Sequence, residues 1–140
     1  MKRVSQMTAL ALALGLACAS TWAADMAQVL NFQQLAQKQG TAIDTRPSAF
    51  YNGWPQSLNG PSGHEPSALN LSARWLDTMS DEQLATWIQQ HQLKADAPVA
   101  LYGNDSDVQA VKNRLKKAGL QQVATLSDAL QDPARLQRLP

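Results

Sequence analysis

The sequence predicts an α/β domain built on a central parallel sheet. Three observations lead there. Short apolar runs alternate along the chain with amphipathic stretches of about ten to twelve residues, and strands separated by helices pair in parallel through right-handed crossovers. One run, Val99-Ala100-Leu101-Tyr102, has no charged member, as expected of a strand covered on both faces. The helical stretch after Ser80 carries its own start signal, with Gln83 three residues on. A chain of 140 residues is enough for one such domain and too short for two of ordinary size.

The elements follow in order. Lys2 and Arg3 precede an apolar run from Met7 to Ala19, shorter than the roughly 20 residues that cross a bilayer. With Thr21 and Ala23 before Ala24, residues 1–23 read as an export signal removed before Ala24. Val29, Leu30, Phe32, Leu35 and Ala36 then recur at helical spacing, predicting a helix over 28–39 with Gly40 as its left-handed cap. Thr41-Ala42-Ile43 is a short strand ending at Asp44-Thr45-Arg46-Pro47, and the Gly- and Pro-rich stretch from Asn52 to Pro66 is an ordered loop. Ser80 caps a helix from 81 to about 91, where Leu84, Trp87, Ile88 and His91 share a face. Beyond the Val99–Tyr102 strand, Val108, Val111, Leu115 and Ala118 mark a second helix closed by Gly119, with Lys116 and Lys117 at the negative end of its dipole. Val123 to Leu126 is a third strand, and Ser127 is expected to cap a last short helix before a polar tail.

Composition narrows the chemistry. Twelve Lys and Arg against eleven Asp and Glu form no basic stripe, which argues against nucleic acid as a partner. A hydrophobic fraction of 44% with four Trp argues against a disordered chain. Trp54, Trp75 and Trp87 are expected as core anchors, Trp54 beside Pro55 alternatively lining a pocket. The single cysteine, Cys18, makes no internal disulfide, CxxC pair or four-cysteine zinc site. It also lies in the segment expected to be removed, so the mature domain is expected to carry no thiol. An exported chain of this kind would work in the periplasm, with no membrane association after cleavage.

In parallel α/β sheets ligands bind beyond the carboxyl ends of the strands. That rule selects two loops. In Gly103-Asn104-Asp105-Ser106-Asp107 a strand leads into a helix N-terminus, a place suited to an anion. The two aspartates oppose a bound anion and favour a capped surface turn. In the other loop, Arg46 either clamps an anionic substrate or pairs with Asp44 to hold the strand end. His64 and Glu65 could start a metal or acid–base site, but no further ligand stands near them in sequence. His91 suits the end of its helix.

The segment Ala42-Ile43-Asp44-Thr45-Arg46-Pro47, with Phe50, Tyr51 and Gly53, resembles the early motif of rhodanese domains: an aliphatic residue, Asp, any residue, Arg, then an aromatic and a glycine. Ala68-Leu69-Asn70-Leu71 is similar to a second family segment, Val99–Tyr102 to the strand that delivers the active-site loop, and Ala118-Gly119-Leu120 to the end of the following helix. The resemblance covers about 28 to 130. It implies a three-layer α/β domain, a central parallel sheet flanked by helices, over 24–130, with 131–140 a polar tail or the start of a linker. In active members a cysteine after the Tyr-ended strand carries a persulfide from thiosulfate to cyanide or a thiol. Here that place is Gly103, and no Arg or Lys lies between it and Val111.

The resemblance therefore implies a non-catalytic amino-terminal domain of an exported, multi-domain thiosulfate sulfurtransferase. Its active cysteine would lie in another rhodanese domain of the same polypeptide, a thiol acceptor protein would be a further partner, and neither cofactor nor metal would be needed. Two alternatives stay open: a free-standing periplasmic module binding a small oxyanion or a persulfidated protein through Arg46 and the 103–107 backbone, and a metal-dependent hydrolase on His64 and Glu65.

Overall fold

The computed structural model describes residues 28–139. The expected signal segment, Cys18 included, lies outside them. Five strands form one parallel sheet: β1 (Val29–Leu30), β2 (Thr41–Asp44), β3 (Leu69–Asn70), β4 (Val99–Tyr102) and β5 (Val123–Leu126), in the order β1-β5-β4-β2-β3. The helices are α1 (Phe32–Gln37), α2 (Ser48–Asn52), α3 (Asp81–Gln90) and α4 (Asp105–Lys117), with 3-10 turns at Ala73–Asp77 and Pro133–Arg135. Among the described residues, no helix is long and apolar enough to cross a membrane.

The sheet sorts its side chains by the two-residue alternation of extended chain. Ile43, Val99, Leu101 and Val123 face one way and pack with Leu84 of α3 and Val108, Val111 and Leu115 of α4. Ala42, Ala100 and Ala124 face the other way and lie in one row across β2, β4 and β5. That row of methyl groups leaves room for Leu35 of α1, for Ala68 and for the ring of Tyr102. Both faces are thus covered, giving the expected three layers.

Five expectations are corrected. Val29 and Leu30 are not helical: they form edge strand β1 against Thr125 and Leu126, and α1 starts only at Phe32, with Asn31 and Gln34 exchanging the two hydrogen bonds of a capping box. The left-handed residue after α1 is Gln39 (φ 54°), while Gly40 sits where a Cβ would overlap Leu35. Ser127 opens a turn, and the last helical turn is capped instead by Asp132, whose Oδ1 accepts from Ala134 N–H at 3.1 Å. Trp54 and Trp75 are not core anchors: they are 72% and 39% exposed, and Trp87 only packs at the margin of the core. Ala118, placed on the buried face of its helix, is exposed at the C-cap. The capping box of α3 forms as expected, Ser80 N–H donating to Gln83 Oε1 at 2.8 Å and Gln83 N–H to Ser80 Oγ at 3.1 Å.

Residues 131–139 lie against the domain. Gln137 and His64 exchange backbone hydrogen bonds of 2.8 Å as an antiparallel bridge, and Leu139 N–H reaches Asn52 O at 3.0 Å. Gly63 (φ +98°) makes this approach possible, since a Cβ there would overlap Gln137 O.

Candidate functional site at the ends of β2 and β4

β2 and β4 are neighbours at the centre of the sheet, and the chain leaves β2 for β3 on one side and returns to β4 on the other. Their carboxyl ends therefore meet where connections diverge, the usual place for a ligand crevice in such sheets. The two loops singled out by sequence, 44–47 and 103–107, come together here, where Thr45 bonds to Tyr102 O.

Asp44, Thr45 and Arg46 are all buried. Asp44 Oδ1 accepts from Arg46 N–H at 2.9 Å, a local turn that brings the arginine side chain back onto the same carboxylate. Arg46 Nε donates to Asp44 Oδ1 and Oδ2 at 3.0 and 3.1 Å, and Nη2 to Oδ2 at 2.6 Å. Nη2 also reaches Gly63 O at 2.6 Å, while Nη1 is buried without a hydrogen-bond partner. The guanidinium carbon stands 5.8 Å from the centre of the Tyr102 ring. Asn70 of β3 donates to both Asp44 O and Arg46 O, at 3.1 and 3.0 Å. The charge pair is thus enclosed, and the bonds between the guanidinium and the Asp44 carboxylate are charge-assisted.

Thr45 ties this loop to β4. Its N–H and its hydroxyl both donate to Tyr102 O, at 3.0 and 2.9 Å. Directly after Tyr102 comes Gly103 with φ +138°, and a Cβ at that position would overlap Thr45 Oγ1. No wide loop follows. Asn104 caps α4 at once: its Oδ1 accepts from Asp107 N–H at 2.8 Å and from Ser106 Oγ at 2.9 Å, and its Nδ2 donates to Asp107 Oδ2 at 3.0 Å. Asp105 and Asp107 occupy the first turn and complement the positive end of the helix dipole with their own charge.

Tyr102 and Glu65 extend the network, and neither was selected as a partner of Arg46 from sequence. Tyr102 OH accepts from Glu65 N–H at 3.0 Å. Burial pushes the phenol's pKa well above its ordinary value, and the nearby Asp44 carboxylate pushes the same way. The same two causes, in the same order, raise Tyr51, whose OH donates to Ala68 O at 2.6 Å. Glu65, fully buried, accepts from Leu130 N–H at 2.7 Å and from Arg135 Nε and Nη2 at 2.7 and 3.0 Å. Hydrogen bonding to Glu65 raises the Arg135 pKa, and the guanidinium also lies 4.5 Å from the Phe32 ring centre. His64 stacks on Tyr51 with centroids 3.7 Å apart, and its Nδ1 donates to Tyr51 O at 2.7 Å. His64 and Glu65 are therefore each held by local partners, and no group of three His, Cys, Asp or Glu side chains among the described residues could hold a metal ion. His91, exposed at the C-cap of α3, has its Nδ1 on Trp87 O. A separate cavity of about 410 Å³, lined by Lys38, Lys94, Asp96 and Pro98 among others, opens at the opposite ends of β2 and β4.

Comparison with known proteins places these features. A family profile described as rhodanese-like domain matches residues 27–132. The curated thiosulfate sulfurtransferase YnjE of Escherichia coli (strain K12) is 74% identical over all 140 residues, which make up 32% of its length. The crystal structure of YnjE superposes with a TM-score of 0.77 at 72% identity, over 79% of this chain and 27% of that one. The wild-type structure of EanB shares the fold, with a TM-score of 0.65 at 22% identity over 79% of this chain and 27% of that one. The chain thus spans about a third of the curated relative it matches.

Proposed function

The chain belongs to the rhodanese-like domain family, and on that premise we propose that it is a non-catalytic domain of a longer, exported thiosulfate sulfurtransferase. Sulfane sulfur would pass from thiosulfate to a thiol or cyanide through a cysteine in another rhodanese domain of the same polypeptide. One observation carries the reading: the residue after the Tyr102 strand is Gly103, with φ +138° and packed so closely on Thr45 that a Cβ there would overlap Oγ1 unless Thr45 moved. A rhodanese persulfide needs a thiol in that place, with backbone N–H groups around it to stabilise the sulfur anion. Here the backbone turns straight into α4, and the first turn supplies carboxylates.

The reaction is tested with the chain from Ala24 to Pro140. It is expected to show no thiosulfate:cyanide sulfurtransferase activity, while the longer polypeptide shows it. Turnover by the short chain would sink the proposal. Export to the periplasm, with cleavage before Ala24, belongs to the same reading and is checked by the N-terminal mass of protein recovered from that compartment.

The oxyanion-module reading has one observation behind it, the unpartnered Nη1 of Arg46. Against it stand the Asp44 carboxylate on the same guanidinium and the two aspartates at the start of α4. Calorimetry with thiosulfate and sulfate decides it: no heat at millimolar ligand is the expected result.

A further inference from the structure

The segment after β5 leaves the domain along a fixed path. Arg135 is held on the buried Glu65 carboxylate, Gln137 is bridged to His64, and Leu139 N–H bonds to Asn52 O. Leu139 therefore lies beside Gly53 and Trp54, with the Arg138 stem passing over Gly53. On Leu139 and on the loop that starts at Gly53, three large apolar side chains stand in solvent: Trp54 is 72% exposed, Leu58 96% and Leu139 53%.

The loop that presents them is ordered. Trp54 N–H bonds to Ala49 O and Gly60 N–H to Ser57 O, each at 3.0 Å, and Ser62 Oγ closes the base on Gly53 O. From Gly53 to Gly63 it carries no charged residue. Apolar side chains on a charge-free, shaped loop are the composition of an interface centre, where Trp is a preferred anchor and charges are depleted.

Two facts select the occupant. The curated relative that matches the whole chain is about three times as long. The segment is, moreover, pinned by the buried Glu65 carboxylate on Arg135 and by Leu139 N–H on Asn52 O, which sets Leu139 beside the start of the loop that carries Trp54. We propose that Trp54, Leu58 and Leu139 form the docking surface for the adjoining domain of the same polypeptide, the one that follows Pro140. This rests on the reading of the chain as one module of a longer sulfurtransferase.

Hydroxyl-radical footprinting tests it. Trp54 is expected to oxidise severalfold more slowly in the longer polypeptide than in the chain from Ala24 to Pro140. In the longer polypeptide the pair W54S and L58S is expected to raise the radius of gyration and speed proteolysis near residue 140. In the short chain the pair should leave the melting temperature unchanged, since both side chains are exposed. Equal oxidation rates in the two proteins overturn the proposal. So does protection of Trp54 already in the short chain, which would assign the surface to a second copy. The underlying reading fails differently, by thiosulfate turnover in the short chain or by a longer polypeptide with no rhodanese domain after Pro140.

Discussion

A cysteine introduced at Gly103 meets two obstacles. The backbone there has φ +138°, a region that L side chains rarely adopt, and the new Cβ would overlap Thr45 Oγ1. Gly103→Cys should therefore lower stability by about 1–3 kcal/mol, read by urea denaturation, and should gain no sulfurtransferase activity. Restored turnover would show that the thiol alone is missing. The buried phenol of Tyr102 gives a second expectation. Its pKa is raised on folding, so the stability it contributes is complete below the unfolded value of 10.0 and is lost as pH rises beyond it. Tyr51 acts in the same sense. Unfolding monitored above about pH 10 should steepen with pH in the native chain and less so in Tyr102→Phe. That variant should also be weaker at neutral pH by about 1–3 kcal/mol, because Glu65 N–H loses its acceptor.

Among the elements, the best marked in sequence was α3, whose capping box is local and formed as read, and whose Leu84, Trp87 and Ile88 pack on the core while His91 stays exposed at the C-cap. The strands β1 and β3 carry two residues each, too few for any period to show, and Val29 and Leu30 also fit the helical spacing of their neighbours. Only β5, more than ninety residues on, makes β1 a strand. The segment 131–139 likewise has the composition of a tail, and it is a tethered strap because Glu65 holds Arg135 and His64 bridges Gln137. Arg135→Ala should free that strap. The cost should lie between the ~1 kcal/mol of an exposed ion pair and the ~3–5 kcal/mol of a buried one, since Arg135 is itself 33% exposed. Hydrogen exchange at Gln137 N–H, now bonded to His64 O, reads the release; unchanged protection would show that the bridge stands without the clamp.

As a whole molecule the domain stands on packing, because one cysteine allows no internal cross-link. Leu101, in β4 and fully buried in the core cluster with Leu84 of α3 and Val111 and Leu115 of α4, is one of the positions on which that packing rests. Leu101→Ala should cost about 2–5 kcal/mol in denaturant unfolding, whereas Leu58→Ala at the exposed loop tip should stay within ~0.5 kcal/mol.

The sequence alone determined the α/β class, the three longer strands, α3, α4 and the family, because each depends on residues close in the chain or on a motif in fixed order. It also singled out Gly103 as the place where the family resemblance implies a thiol. It could not choose between Arg46 as a ligand clamp and Arg46 as a partner of Asp44, nor reveal that Tyr102, Glu65 and Arg135 continue that network. Those contacts join residues up to seventy positions apart, and a buried charge declares its partner only once the fold has enclosed both. The exposure of Trp54 was equally invisible: tryptophan's size argues for the core in any sequence, and only the folded chain shows which one was left outside.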